Sequence, residues 1–206
     1  TFLFESVHGG EKWGRYSFIG LAARERLEVR GKQMKRIVNQ QCVSDEEVAD
    51  PLAAVEQYMK QFRVAELENL PRFYGGLVGY FGYDTVRYVE PRLRAGMPED
   101  DLGNPDILLM VSEEVLVFDN LAGTIRLIVN ADPTIEGAFD TAQQRLQELN
   151  LEAAGVFAAV WGNGNAGPSF AKGAMSGYLG GRATTIYGGA SEVQKDVISK
   201  NVLGLG

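Results

Sequence analysis

Two short patterns contain residue types that could do chemistry. The first is the stretch WGNGNAG, in which Gly162, Gly164 and Gly167 have the G-x-G-x-x-G spacing that cradles a dinucleotide pyrophosphate. This function requires a helix to begin at the third glycine, because the helix N-terminal amides receive the phosphates. Pro168 and four more glycines by Gly181 oppose such a helix. The sequence therefore predicts a flexible loop here.

The second pattern is a lone cysteine in a chain with a single histidine. Cys42 can form no internal disulfide, and His8 is the one histidine that could activate its thiol. His8 stands between Val7 and Gly9, where we expect a solvated side chain in a loop. We expect Cys42 to be an inert free thiol, and the sequence predicts neither catalytic residues nor a metal site in this chain.

Composition excludes several classes of partner. The chain has 206 residues, of which 45% are hydrophobic, enough for a buried core. Its net charge of −7 argues against nucleic acid, because phosphate binding needs clustered Lys and Arg. No apolar run approaches the roughly 18 residues that span a bilayer, and no signal leader opens the chain. We therefore predict a cytoplasmic protein without a nucleic-acid or membrane partner.

Charge and glycine content both change near residue 151. Residues 151–206 contain four basic and three acidic groups, which leaves 16 basic and 24 acidic groups in the first 150. Ten of the 25 glycines lie between Gly155 and Gly189. The sequence thus predicts a domain over residues 1–151 and a glycine-rich segment over 152–206. Because the chain opens on Thr1 and runs straight into apolar residues, we expect the domain to be truncated at its start.

Strand signals dominate the first domain. The stretches RYSFIGLA and ERLEVRGKQMKRIV are typical of strands, the second of a hairpin that turns near Gly31. PDILLMVSEEVLVFD and TIRLIVN are apolar runs on either side of a hairpin-sized turn, Asn120 to Gly123. Strands joined by hairpins, with helices on one side, predict an α+β fold whose sheet is mostly antiparallel.

Two helices are predicted from Asx-Pro starts. Asp50 with Pro51 and Asp132 with Pro133 are N-cap and first-turn pairs. Each start is followed by an apolar stripe that we expect to face the core: Leu52, Val55, Met59 and Phe62 in the first helix, and Ile135, Phe139, Ala142, Leu146 and Leu149 in the second.

The stretch GGLVGYFGYDTVRYVEP, residues 75–91, combines glycines with aromatic residues. It predicts a strand from Phe73 to Tyr83, then a short helix that Asp84 caps and Pro91 stops. Glycines inside a strand mark places where a ligand or another backbone comes close. The alternative is that Gly75, Gly76, Gly79 and Gly82 simply let a bulky neighbouring element pack.

Three stretches resemble one family. TFLFESVHGGEKWGRYSFIGL, RFYGGLVGYFGYDTVRYVEP and NPDILLMVSEEVLVFDN look like the N-terminal region of anthranilate synthase component I, which uses chorismate to open tryptophan biosynthesis. The resemblance runs from Thr1 to about Leu151 and implies that the glycine-rich strand packs near the chorismate-binding region. Aminodeoxychorismate synthase component I is a near relative, but the sequence segments FES and WGRYSFIG favour the tryptophan branch.

The resemblance also implies a feedback site for tryptophan. The acidic-serine pair of that site matches Glu5 and Ser6. A carboxylate can pair with the ligand's ammonium, while a hydroxyl and a cation can hold the ligand's carboxylate through charge-assisted hydrogen bonds. Arg15 is the cation we expect, with Lys12 second. A surface glutamate beside a strand-end serine is the alternative reading of the same residues.

The family's chemistry lies elsewhere in its sequence. The resemblance places chorismate and magnesium binding in a large C-terminal domain, and none of its motifs follows Leu151. We therefore expect no cofactor in this chain, and this part of a lyase should be inactive on its own. A glutamine amidotransferase subunit is the protein partner that the resemblance implies.

The tail resembles a different family. YLGGRATTIYGGASEVQKDVISKNVLGLG is similar to the C-terminal end of acyl-CoA dehydrogenases, over about residues 170–206. That resemblance puts Gly189, Glu192 and Gln194 near a flavin, although Gly188 stands where many members have a catalytic glutamate. The alternative is a plain amphipathic helix over Ser191–Leu203. Three further readings stay open: an aminodeoxychorismate synthase-like fragment, a non-catalytic aromatic amino-acid binding module, and a flavoprotein fragment.

Overall fold

The computed structural model describes residues 1–5, 14–64, 67–68, 70–94, 100–155, 171 and 173–187. The chain divides into two compact units, Thr1–Asn130 and Ala131–Gly206. The described part of the first unit contains the strands and two helices, and that of the second unit contains two more helices. The boundary predicted at residue 151 lies inside the first helix of the second unit.

The strands and α-helices of the described residues have the following bounds. In the first unit they are β1 Phe2–Phe4, β2 Tyr16–Gly20, β3 Glu25–Arg30, β4 Gln33–Val38, β5 Gln41–Glu47, α1 Pro51–Met59, β6 Gly76–Phe81, α2 Val86–Val89, β7 Ile107–Ser112, β8 Glu114–Asp119 and β9 Thr124–Val129. In the second unit they are α3 Ala138–Ala154 and α4 Ala174–Tyr187. The predicted hairpin around Gly31 forms between β3 and β4.

The strands form two antiparallel sheets, which confirms the α+β prediction. The four-stranded sheet has the order β1-β2-β8-β9, and the five-stranded sheet has the order β5-β4-β3-β7-β6. The apolar run PDILLMVSEEVLVFD is divided between the sheets at Glu113, which separates β7 from β8. Since β2 pairs with β8 and β3 with β7, one long antiparallel pair passes through both sheets.

The main core lies on the five-stranded sheet under α1. Leu27, Val29 and Ile107 are fully buried, and Val55 and Tyr58 of α1 pack against them. Helix α1 begins as predicted, because a carboxylate oxygen of Asp50 accepts hydrogen bonds from the amides of Leu52 and Ala53 at 3.0 and 3.1 Å.

The predicted apolar stripe of α1 is partly wrong. Met59 and Phe62 are about half exposed. The helix ends at Met59, and its buried face runs through Pro51, Val55 and Tyr58. The amphipathic tyrosine, rather than the methionine beside it, therefore completes the buried face.

The glycine-rich stretch forms β6 against β7. A Cβ atom added to Gly79 would lie 1.8 Å from the carbonyl oxygen of Leu108, so the approaching group here is the neighbouring backbone. The prediction that Asp84 caps the following helix is wrong. Thr85 is the N-cap residue of α2, while Asp84 lies in the preceding 3₁₀ turn and forms an ion pair with Arg87.

The second unit differs more from the sequence prediction. Asp132 organises a turn, in which it accepts hydrogen bonds from the amide and hydroxyl of Thr134 at 2.9 and 2.7 Å, and α3 begins only at Ala138. Ile135 and Phe139 are therefore exposed, at 62% and 76%, and not inward-facing as predicted. Leu149, near the end of α3, is buried as predicted.

A helix that the sequence did not predict, α4, occupies part of the glycine-rich segment. Ala154, Ala171 and Ala174 form a small buried cluster beside Leu151, where small side chains allow α3 and α4 to pack closely. The helix predicted over Ser191–Leu203 and the glycine pattern of WGNGNAG lie outside the described residues. Among the residues that are described, no helix has the length and apolarity to cross a membrane.

Candidate functional site

Two of the three residues predicted to bind tryptophan lie at one end of the four-stranded sheet. The β1–β2 ladder ends with Phe4 opposite Phe18. Glu5 follows β1 directly, and the position opposite it in a continued ladder is Ser17. Arg15 lies two residues before Ser17, just ahead of β2. The backbone therefore places Glu5 and Arg15 at the same end of this sheet, while Ser6 lies outside the described residues.

Arg15 forms a two-pronged ion pair with Asp119, the last residue of β8. Its Nε donates to both carboxylate oxygens at 3.1 Å, and its Nη2 donates to Oδ2 at 2.7 Å. The Asp119 side chain is only 2% exposed, whereas that of Arg15 is 39% exposed. The guanidinium carbon also lies 4.9 Å from the centre of the Tyr16 ring, within range of a cation–π contact.

The turn after β8 holds Asp119 in place. Oδ1 of Asp119 accepts hydrogen bonds from the amides of Leu121 and Ala122 at 3.2 and 3.1 Å, an arrangement typical of a turn that an aspartate begins. Asn120 ties this turn to β2, since its amide donates to the carbonyl of Arg15 at 2.7 Å. Its side chain donates to the carbonyl of Gly14 and to Oγ of Ser17.

These donors also determine the ionisation state of Asp119. The hydrogen bonds from Arg15, together with those from the turn amides, lower the pKa of this carboxyl from its ordinary 3.8 to about 2, despite the opposing effect of desolvation. Asp119 is thus ionised at any physiological pH, and the pair is a fixed polar structure at this end of the sheet.

Aromatic rings surround the same strands. The Phe2 and Phe4 rings lie 5.1 Å apart, and Phe73 meets the edges of both Phe2 and Phe18 at 6.2 and 5.6 Å. Phe4, next to Glu5, is 53% exposed. These rings cluster on the face of β1 and β2 that carries Phe4 and Phe18, and Glu5 would take the opposite face in a continued ladder.

Other residues singled out in the sequence do not join this site. Cys42 lies on β5 of the other sheet, is exposed, and donates to the carbonyl of Ser44 at 3.2 Å. Gly189, Glu192 and Gln194, with His8 and Lys12, lie outside the described residues. In the part of the chain that the structure describes, no group of three or more His, Cys, Asp or Glu side chains is arranged to hold a metal ion.

Sequence reasoning missed Asp119 and Asn120 as members of the site. An Asp-Asn pair at the end of an apolar strand indicates a turn, and this signal was present in the sequence. The link to Arg15 was not, because the two partners of the ion pair stand 104 positions apart.

A separate cleft opens at the tip of the β3–β4 hairpin. Its volume is about 610 Å³, and its walls carry both cations and carboxylates, among them Arg30, Lys32, Asp100 and Asp106. Asp106 is already engaged there, since its Oδ2 accepts hydrogen bonds from the amide of Gly31 and the hydroxyl of Tyr88. None of the residues predicted to bind tryptophan lines this cleft.

Comparison with known proteins gives close relatives for most of the chain. It is 55% identical over 149 residues to anthranilate synthase component 1 from Pseudomonas aeruginosa, a match that covers 72% of this chain and 30% of that protein. It is 44% identical over 155 residues to the Neisseria meningitidis serogroup B protein of the same name, covering 74% of this chain and 31% of that one. The resemblance to anthranilate synthase component I is confirmed.

A solved structure agrees with this result. The crystal structure of anthranilate synthase component I from Streptococcus pneumoniae matches 72% of this chain and 31% of its own chain, with a TM-score of 0.50 and 25% identity. No protein-family model matches the chain. The chain spans about a third of the length of the anthranilate synthase components that it matches.

Proposed function

We propose that residues 1–151 form the N-terminal regulatory and scaffolding part of an anthranilate synthase component I, and that this part binds tryptophan as a feedback effector. The observation that carries this proposal is the 55% identity over 149 residues to the Pseudomonas aeruginosa protein. The relatives described above carry the anthranilate synthase name, which favours the tryptophan branch over aminodeoxychorismate synthase.

The residues proposed to contact tryptophan are Glu5, Ser6 and Arg15. Glu5 is exposed and offers a carboxylate for the ligand's ammonium group. Arg15 is partly exposed and offers N–H groups for the ligand's carboxylate.

We further propose that residues 1–206 alone do not convert chorismate to anthranilate. The chain corresponds to about 30% of the length of its relatives, and the family resemblance places chorismate and magnesium binding in the remainder of such proteins. On this proposal magnesium belongs to the complete enzyme, and a glutamine amidotransferase subunit is a partner of that enzyme.

The proposal is tested by isothermal titration calorimetry of the 206-residue chain with L-tryptophan. We expect saturable heat, and a rise in melting temperature that grows with ligand concentration, because the ligand binds only the folded state. L-Leucine, which lacks the indole, should give neither.

Two variants test whether Glu5 contributes to tryptophan binding. Glu5→Gln should weaken tryptophan binding at least tenfold, the effect of losing about one charge-assisted hydrogen bond. Glu47→Gln, at an exposed position of β5, makes the same chemical change in the other sheet and should leave binding unaltered. A folded chain that shows neither heat nor a thermal shift with saturating tryptophan contradicts the proposed function.

A further inference from the structure

We propose that Asp119 is a positioning residue of this site, which holds Arg15 so that the outer edge of its guanidinium receives the carboxylate of the amino-acid ligand. The inference rests on the proposed function, since it takes Arg15 to be the group that meets that carboxylate. It adds a buried residue that contacts no ligand itself.

The two edges of a guanidinium give the proposal its geometry. Arginine carries five N–H donors in one plane, and a carboxylate can pair with either the Nε–Nη2 edge or the Nη1–Nη2 edge. Asp119 occupies the Nε–Nη2 edge of Arg15. Within the described part of the chain, Nη1 of Arg15 has no hydrogen-bond partner. Among the described residues, none therefore pairs with the second edge, and this is the edge that we assign to the ligand's carboxylate.

Asp119 is suited to hold this arrangement because it is itself fixed. Its side chain is 2% exposed and accepts hydrogen bonds from the amides of Leu121 and Ala122 as well as from Arg15. The backbone hydrogen bond from Asn120 to Arg15 joins the same two segments a second time. A ligand that meets Arg15 consequently does not have to order a long, flexible side chain, which would reduce its affinity.

Asp119 also has an opposing effect, because its negative charge offsets the positive charge of Arg15. If charge dominated, removing the carboxylate would strengthen the binding of an anionic group. The Arg15 side chain is more than a third exposed, so water screens this charge effect. Orientation of the two N–H donors on the Nη1–Nη2 edge is not screened in this way. We therefore expect loss of Asp119 to weaken the binding of the ligand's carboxylate.

The test compares two ligands on the full 206-residue chain. L-Tryptophan carries the carboxylate, whereas L-tryptophanamide replaces it with a neutral amide. Asp119→Asn keeps the size of the side chain but removes its charge, and we expect calorimetry to show about tenfold weaker binding of tryptophan with no change for tryptophanamide. Asp45→Asn is the matched control, because Asp45 forms an exposed ion pair with Lys35 at 3.3 Å in the other sheet. It should change neither affinity.

A double-mutant cycle adds a second readout. Arg15→Lys keeps the charge but loses the planar fork, so it should also weaken tryptophan about tenfold without affecting tryptophanamide. Because Asp119 acts through Arg15, adding Asp119→Asn to Arg15→Lys should cost little more affinity for tryptophan.

A measurement on the unaltered chain does not depend on whether Asp119→Asn folds. Nuclear magnetic resonance should show the Nε–H group of Arg15 as rigid before any ligand is added, with an order parameter close to that of the backbone. A mobile Nε–H group overturns the inference.

The outcomes separate the inference from the proposed function. Tryptophan affinity in Asp119→Asn that equals or exceeds that of the unaltered chain overturns the positioning role and leaves the proposed function standing. Equal weakening of both ligands indicates a purely structural role and also overturns it. Failure of the unaltered chain to bind tryptophan overturns both.

Discussion

Gly79 offers a sharp test of the fold, because alanine at this position would collide with the main chain of the next strand. Its Cβ would lie 1.8 Å from the carbonyl oxygen of Leu108, 2.8 Å from the carbonyl carbon and 3.0 Å from Cα of Leu109. Real Cβ atoms are essentially never closer than 3.0 Å to such an atom. Strands β6 and β7 would therefore have to separate by about 1 Å, which stretches hydrogen bonds of ordinary length to about 4 Å, beyond their useful range.

The separation of the two strands sets the expected loss in the free energy of unfolding. Losing two ladder hydrogen bonds costs about 2 kcal/mol, and the strain of overpacking adds at least about 1 kcal/mol. We expect Gly79→Ala to lower the free energy of unfolding by about 3 kcal/mol. With an m-value of about 2 kcal/mol/M in urea, the midpoint of the transition should fall by about 1.5 M.

Circular dichroism during urea titration measures this shift, and two other glycines serve as controls. Gly82→Ala should cost less, because its Cβ would lie 3.1 Å from the carbonyl oxygen of Asp106 and a small movement relieves the contact. Gly180→Ala in α4 meets open space and should stabilise that helix by about 1 kcal/mol. A Gly79→Ala protein that unfolds at the wild-type urea concentration would refute the tight β6–β7 packing.

Two further changes test the helix start and the buried ion pair. Asp50→Ala removes the oxygen that caps α1 and should lower the free energy of unfolding by about 1 kcal/mol. Urea titration measures this change, with Asp45→Asn as the control variant. An unchanged urea midpoint would show that the cap contributes nothing to stability. Asp119 should stabilise the fold fully above its unfolded pKa of 3.8 and progressively less as the pH falls towards its folded pKa of about 2, because the lowered pKa means that the folded state favours the ionised form. Melting temperatures between pH 5 and pH 2 should therefore fall more steeply for the wild type than for Asp119→Asn, and parallel curves would contradict the ion pair.

Local sequence signals were sufficient to predict much of the secondary structure of the first unit. The Asp50-Pro51 start predicted α1, and the glycine of the β3–β4 turn, Gly31, has the positive φ angle that such a turn requires. The sequence could not show that the apolar run around Glu113 changes sheet, because both of its halves are rich in apolar residues and both alternate buried with half-buried positions. That division depends on pairing with β2 and β3, which lie about 90 residues earlier in the chain.

The start of α3, the presence of α4 and the partner of Arg15 could not be predicted from local sequence signals. Asp132 fits both a helix cap and a turn, and the turn hydrogen bonds to Thr134 decide against a helix start there. Glycines argued against α4, yet its contact with α3 uses small residues that pattern analysis does not read as a core. Arg15 could be named from a resemblance, but Asp119 could only be found once β2 and β8 were seen side by side.

The most direct test of the central claim is a residue-resolved map of where tryptophan binds. Two-dimensional nuclear magnetic resonance of the isotope-labelled 206-residue chain, titrated with L-tryptophan, should shift amide signals at Glu5, Arg15 and the turn of residues 119–122. Signals from β4 and β5, in the other sheet, should stay in place. Shifts confined to the five-stranded sheet, or no shifts at saturating ligand, would contradict the assignment of an amino-acid site to this end of the four-stranded sheet.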